Sequence, residues 1–139
     1  MYLTQGDLFW GMDADFVKEV MNQTEKVDFD DGAVIFNQDQ AADFFYVLIK
    51  GRIKLSIGTQ GPVVFIAKDA GMVIGWSSLV GRDSYSATAL CVEPVKAIKI
   101  EKNNFLEKLA QYPSSESLLY KRLAQMLGDR LTTIYPSLT

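Results

Sequence analysis

Residues 71–89 read Gly71-Met-Val-Ile-Gly-Trp-Ser-Ser-Leu-Val-Gly-Arg-Asp-Ser-Tyr-Ser-Ala-Thr-Ala89, and the fold follows from how this stretch is parsed. A short apolar run ends in Gly75. One turn of mostly small residues follows, from Trp76 through Ser77 and Ser78 to Leu79. Gly81-Arg82-Asp83 has the composition of a tight turn. Ser84 to Ala89 then reads as a strand of small side chains. A strand that runs into a glycine and a single helical turn aims several backbone N–H groups the same way, which makes a cradle for an anion. The amides of Ser77, Ser78 and Leu79 are the candidate donors, with the hydroxyls of Ser86 and Thr88 beside them. Arg82 is the nearest cation along the chain, and its alternative reading is an exposed residue at the tip of the turn.

Outward from this cassette the chain is a series of short strands between turn residues. Lys26–Phe29 alternates, Asp31-Gly32 turns, and Ala33–Phe36 is strand-like. Phe44–Ile49 is rich in aromatic and branched residues that favour strands. Lys50-Gly51-Arg52 interrupts it, and Ile53–Ile57 alternates again. Gly58–Gly61 has hairpin composition, and Pro62–Ala67 follows as a strand. Thr88–Val92 and Val95–Ile100 form a last pair. About eight strands at this spacing predict a small β-sandwich or barrel. The acidic turn Asp28, Asp30, Asp31 is read as a solvated hairpin turn, not a calcium site.

Helical periodicity flanks the strands on both sides. Residues 5–11 predict a short helical turn carrying Leu8, Phe9 and Trp10. Asp13 is placed to cap a helix over 14–22, with Phe16, Val17, Val20 and Met21 on one stripe. After Lys102 a helix to Gln111 is expected, capped by Asn103 or Asn104 and broken at Pro113. Ser114 or Ser115 is then expected to cap a longer helix to about Ile134, ended by Pro136. Its apolar residues occupy two edges. Tyr120, Leu123, Leu127 and Ile134 form the edge expected to meet a second copy, and Arg130 interrupts that seam. The chain divides into residues 1–24, a β portion over 25–101, and C-terminal helices over 102–139, all within one domain.

Bulk composition narrows the function. With 48% hydrophobic and 22% charged residues in 139, the chain can build a core without metal or disulfide. A net charge of −3 argues against direct nucleic-acid binding. There is no histidine and a single cysteine, Cys91, so zinc sites and Ser/His or Cys/His dyads are not available. Catalysis is not expected. A lone cysteine, no apolar run of membrane-spanning length and no basic, apolar N-terminal signal predict a cytoplasmic protein.

Two further segments carry a family resemblance. Asp31-Gly-Ala-Val-Ile-Phe-Asn-Gln-Asp39 resembles a glycine turn and strand closed by Gly-Asp, with Gln38 in place of the second glycine. Phe45-Tyr-Val-Leu-Ile-Lys-Gly51 followed by Arg52-Ile-Lys-Leu55 resembles the hairpin that comes after it. With the cassette in its place, the order is similar to the cyclic-nucleotide-binding domain of catabolite-activator and Fnr-type regulators. The resemblance implies a mainly β fold, an eight-stranded jelly-roll-like β-roll (a double-stranded β-helix) with short N-terminal helices and a long closing helix. It also implies a regulatory, non-catalytic role and a homodimer through that helix. The roll is cupin-like in architecture, without the histidines cupin chemistry uses.

The resemblance also exposes two departures. Where binders carry a Glu for the ribose 2′-hydroxyl, this chain has Trp76. Where they carry the Arg that neutralises the cyclic phosphate, it has Tyr85. The candidate ligand-binding set is therefore Gly75, Trp76, Ser77, Ser78, Leu79, Arg82, Ser84, Tyr85, Ser86, Ala87 and Thr88. Its occupant is left open between a cyclic nucleotide, a flatter and more apolar small molecule, and nothing at all if the two aromatics plug the pocket. Thr139 falls just past the long helix, which leads to the expectation of a stand-alone domain, or of the sensor fragment of a longer regulator.

Overall fold

A computed structural model of the chain describes residues 8–58 and 61–138. Among the described residues eight strands form two four-stranded antiparallel sheets. They are β1 (Glu25–Phe29), β2 (Val34–Phe36), β3 (Phe44–Lys50), β4 (Ile53–Ser56), β5 (Val63–Ala67), β6 (Val73–Ile74), β7 (Thr88–Cys91) and β8 (Val95–Glu101). One sheet has the order β1-β8-β3-β6 and the other β2-β7-β4-β5. Three α-helices flank them: α1 (Ala14–Asn22), α2 (Lys102–Leu109) and α3 (Pro113–Ile134).

The period-2 rule explains how the first sheet serves two cores. In β3, Phe45 and Val47 face the helices, while Tyr46 and Leu48 face the interior of the roll. In β8, Ile98 and Ile100 go to the helical side and Val95 and Ala97 to the roll. A strand buried on both faces has no polar positions to spare, which is why Phe44–Ile49 reads as a continuous apolar run. The helical core gathers around Phe105 of α2. Its ring meets Phe45 at 5.0 Å and Phe9 and Phe16 at 5.8 Å, all edge-on. Full burial of each such ring contributes about 1.5–3 kcal/mol.

The helix starts follow local chemistry. Asp13 Oδ1 accepts from the N–H groups of Asp15 (2.8 Å) and Phe16 (3.2 Å), so α1 is capped as its sequence predicts. The other two starts differ from expectation. The α2 cap is Glu101, whose carboxylate accepts from Asn104 N–H at 3.0 Å; neither Asn103 nor Asn104 caps it. Pro113 does not precede α3 but begins it, since a first-turn residue needs no N–H donor. Ser115 is spent elsewhere: its Oγ accepts from Asp13 N–H at 3.3 Å and joins the start of α3 to the cap of α1. Tyr112 adds a second tie by donating to Glu19 Oε2 at 2.8 Å, and this bond holds its phenol up to about 12.

The N-terminal expectation divides. Residues 5–7 lie outside the described residues. Residues 8–10 form a turn, with Leu8 and Phe9 in the core and Trp10 at 53% exposure. The expected helix–helix seam needs one correction. Leu123 is 2% exposed and belongs to the chain's own core, alongside Leu119 and Met126, so it is not a free surface residue. Tyr120 is exposed, Leu127 is half-buried, and the side chain of Ile134 lies outside the described set.

Candidate functional site

Strand β6 delivers the chain to Gly75, which adopts φ +79°. A Cβ there would also stand 3.1 Å from Phe44 O and 3.3 Å from the Tyr85 ring, so both conformation and space require glycine. Trp76–Leu79 follows as a single 3-10 turn. Ser78 closes it, its N–H and its Oγ both donating to Gly75 O. One of the three amides expected to cradle an anion is thus already bonded. The N–H groups of Val80 and Arg82 both return to Ser77 O. Arg82 is exposed at the tip of the turn.

The expected strand from Ser84 is shorter than its sequence suggests. Ser84 makes one isolated bridge to Ala41, and β7 begins only at Thr88. The backbone between them pairs with the loop 37–42: Asp39 N–H donates to Tyr85 O, and Tyr85 N–H to Gln40 O. Thr88 is not free either. Its Oγ1 accepts from Gln38 N–H at 2.9 Å, while Gln38 Oε1 accepts from Gly58 N–H at 2.6 Å. Gln38, standing where the resemblance implies glycine, thereby ties the loop to β7 and to the β4–β5 hairpin.

Tyr85 turns into the roll. Its ring lies on Phe36 at 3.7 Å between centroids and 14° between planes. Its hydroxyl donates to Phe44 O at 2.6 Å, and burial raises its pKa well above the ordinary phenol value. The cavity left beside the cassette measures about 20 Å³, between Phe36, Leu55, Gly75, Trp76, Ser77, Tyr85, Ser86 and Ala87. That is room for about one water molecule. Ser78, Leu79, Arg82, Ser84 and Thr88 do not line it.

A second recess, of about 450 Å³, opens next to the first. Leu55, Trp76, Ser86 and Ala87 belong to both. The sheet supplies Leu55, Ile57, Val64 and Phe65, and α3 supplies Leu127, Arg130 and Leu131. Arg130 Nη2 donates to Val73 O at 2.6 Å, and its guanidinium lies 3.9 Å from the Phe65 ring centre. Among the described residues that line it, the recess offers an indole wall, aliphatic sides, one hydroxyl and one cation. Among the described residues no three His, Cys, Asp or Glu side chains come together as metal ligands. Nor is any helix there long and apolar enough to cross a membrane.

The profile of the cyclic nucleotide-binding domain family matches residues 26–112, from β1 to the end of the loop after α2. The chain belongs to the cyclic nucleotide-binding domain family. It is similar to the human cyclic nucleotide-gated channel beta-3, 23% identical over 134 residues, which are 94% of this chain and 17% of the channel. It is 23% identical over 130 residues to the CRP-like cAMP-activated global transcriptional regulator of Mycobacterium tuberculosis, covering 90% of this chain and 57% of the regulator. The sensor domain of the transcriptional regulator DNR from Pseudomonas aeruginosa has the same fold. It superposes with a TM-score of 0.77 at 23% identity over 93% of each chain. The chain spans 17% of the channel and 57% of the regulator, less than two thirds of either sequence relative. The β-roll with its closing helix is therefore a fold that this chain shares with the DNR sensor domain.

Sequence reasoning missed Phe36, which stacks on Tyr85, and every wall of the larger recess outside the cassette. One signal for the recess was present: Arg130 interrupts an apolar edge of α3, and that interruption faces the recess.

Proposed function

We propose that this chain is a non-catalytic sensor domain whose ligand is a flat, largely apolar small molecule seated in the recess between the roll and α3. The observation that carries this reading is the Tyr85 ring lying on Phe36. It fills the inner pocket down to about 20 Å³, while about 450 Å³ stays open beside Trp76. The side chains at 76 and 85 also remove two charged partners of a cyclic nucleotide. At about 1.5–3 kcal/mol each, their loss weakens binding by several hundred-fold or more. An indole wall favours a planar ligand through stacking. Leu127, Arg130 and Leu131 belong both to α3 and to the recess, so a ligand that prefers one position of α3 shifts the helix toward it.

Isothermal titration tests this. The neutral planar probe 2-naphthalenemethanol is expected to bind saturably, and cyclic AMP and cyclic GMP to bind far more weakly. The Trp76→Glu/Tyr85→Arg double variant is expected to gain cyclic AMP binding. Micromolar binding of cyclic AMP by the unaltered chain would sink the proposal.

A second reading is supported by α3. Tyr120 (44% exposed), Ala124, half-buried Leu127 and Leu131 (50% exposed) recur at spacings of four, three and four residues. That is the stripe of a helix that pairs with its own copy. The proposal is a homodimer through α3, with the recess beneath the interface. Light scattering at tens of micromolar checks it: a dimer is expected for the native chain and a monomer for Leu131→Asp. A native monomer at that concentration removes the reading.

A further inference from the structure

We propose that the outer face of the sheet β2-β7-β4-β5 is a docking surface for an amphipathic helix of a partner protein, one whose apolar stripe is bordered by carboxylates. The inference is independent of what the recess holds. In this sheet Ala33, Ile35, Ile53, Leu55, Ala67, Ala89 and Cys91 pack into the roll. The residues that alternate with them therefore belong to the outer face: Val34, Arg52, Lys54, Ile66, Lys68, Leu90 and Val92. Register makes neighbours of them. Val34 stands opposite Leu90, Leu90 opposite Lys54, and Lys54 opposite Ile66, a row across all four strands. Val92 N–H donates to Arg52 O at 3.0 Å, which sets that pair beside the row. Single apolar residues on a surface are ordinary, but here Val34 (45% exposed), Leu90 and Val92 (39%) adjoin, with Ile66 (45%) at the far edge. The first sheet has its outer face covered by the helical core, whereas this one leaves these side chains to solvent.

Charge narrows the occupant. Strands β2, β4, β5 and β7 contain no Asp or Glu, yet the face carries Arg52, Lys54 and Lys68 in a chain of net charge −3. Among the described residues none of these three cations forms an ion pair. Asp31, Asp69 and Glu93 lie in turns and bends beyond the strand ends. The adjoining apolar residues belong to the β2–β7 side and the cations to the β4–β5 side, so a partner must offer apolar groups and carboxylates side by side. Backbone groups inside a sheet are already paired, so whatever covers its face binds through side chains. A helix with an apolar stripe and one acidic border supplies them at a matching step: about 6 Å for four residues of helix, against about 6.8 Å for two residues of strand. Three cations in a chain of negative net charge are too few for an anionic membrane, which recruits clusters of about four to eight.

Fluorescence anisotropy with two labelled helical peptides, each about fourteen residues long, tests this. Both carry the same leucine stripe; one borders it with glutamate and the other with lysine. The unaltered chain is expected to bind the glutamate peptide at least about tenfold more tightly, an advantage that shrinks as salt is raised. Arg52→Glu/Lys54→Glu is expected to reverse the preference, and Val34→Asp to weaken the glutamate peptide at least about fivefold. Equal binding of the two peptides, or no binding at about 1 mM, overturns the proposal. Displacement of the peptide by 2-naphthalenemethanol places it in the recess and overturns the assignment to this face. Sedimentation with phosphatidylserine vesicles that Arg52→Glu/Lys54→Glu abolishes makes the face a membrane surface, and a native dimer that Val34→Asp dissociates makes the occupant a second copy; either result overturns the proposal. Should the charge-swap variant fail to fold by circular dichroism, the glutamate–lysine comparison and its salt dependence in the native chain decide the question.

Discussion

Arg122 is 8% exposed, and its Nη1 has no hydrogen-bond partner. What covers it is an indole: its guanidinium lies 3.1 Å from the centre of the Trp10 ring. A cation–π contact of this kind contributes about 0.5–2 kcal/mol, whereas a buried unsatisfied donor costs about 1–3 kcal/mol. The two nearly balance, so the arginine is not what holds this corner together. Trp10→Ala, which removes the cover and leaves the charge, is expected to destabilise by about 1–2 kcal/mol. Arg122→Met, which removes the charge and keeps the volume, is expected to be neutral or stabilising. Urea denaturation of the two variants gives the comparison, and a larger loss for Arg122→Met than for Trp10→Ala refutes the assignment. At this scale the sequence was least informative. Trp10 and Arg122 are far apart along the chain, and neither residue's pattern names the other. Tyr85 stood out as a departure from the nucleotide-binding pattern, but its stacking partner Phe36 did not, because stacking depends on how β2 and the cassette meet.

Elements were more legible, and the reason is periodicity. Alternation at Ile53–Ile57 and the unbroken apolar run at Phe44–Ile49 each locate a strand to within a residue or two, because burial on one face or two writes itself into side-chain order. Helix starts were less legible. Several side chains near each start had suitable chemistry, and tertiary neighbours chose among them. Ser115 bonds α1, and Glu101 at the end of β8 takes the α2 cap instead. One element that makes stability pH-dependent is β7. Its Cys91 is 1% exposed, and burial pushes the thiol up to about 11 from 9.0. The unfolded chain therefore loses this proton first as pH rises. The contribution is fully present below pH 9 and is lost progressively as pH climbs toward 11. The raised phenol of Tyr85 adds in the same direction above pH 10. Urea midpoints are expected to agree below pH 9 and to fall between pH 9 and 11, with a shallower fall in Cys91→Ala. A midpoint unchanged at pH 10.5 contradicts this.

For the molecule as a whole, the number and spacing of strands pointed to a β-roll, yet nothing in the linear order said which strand bonds which. Strands β4 and β5 are the one consecutive pair among the described strands that bond each other. Every other pairing joins distant segments: Glu25 of β1 lies opposite Lys99 of β8, and Val34 of β2 opposite Leu90 of β7. Early and late strands alternate in both sheets, which has a consequence for how the chain is made. On the ribosome, β1 and β2 emerge first and must wait for partners synthesised last. Until β8 has left the exit tunnel, the apolar run of β3 lacks its main neighbour and the sheet β1-β8-β3-β6 stays open, while the other sheet closes only when β7 arrives. Closing such long loops before any contact rewards them slows folding and prolongs exposure of sticky strands. The interleaving that makes the folded roll one cooperative body therefore makes the nascent chain a natural client for chaperones.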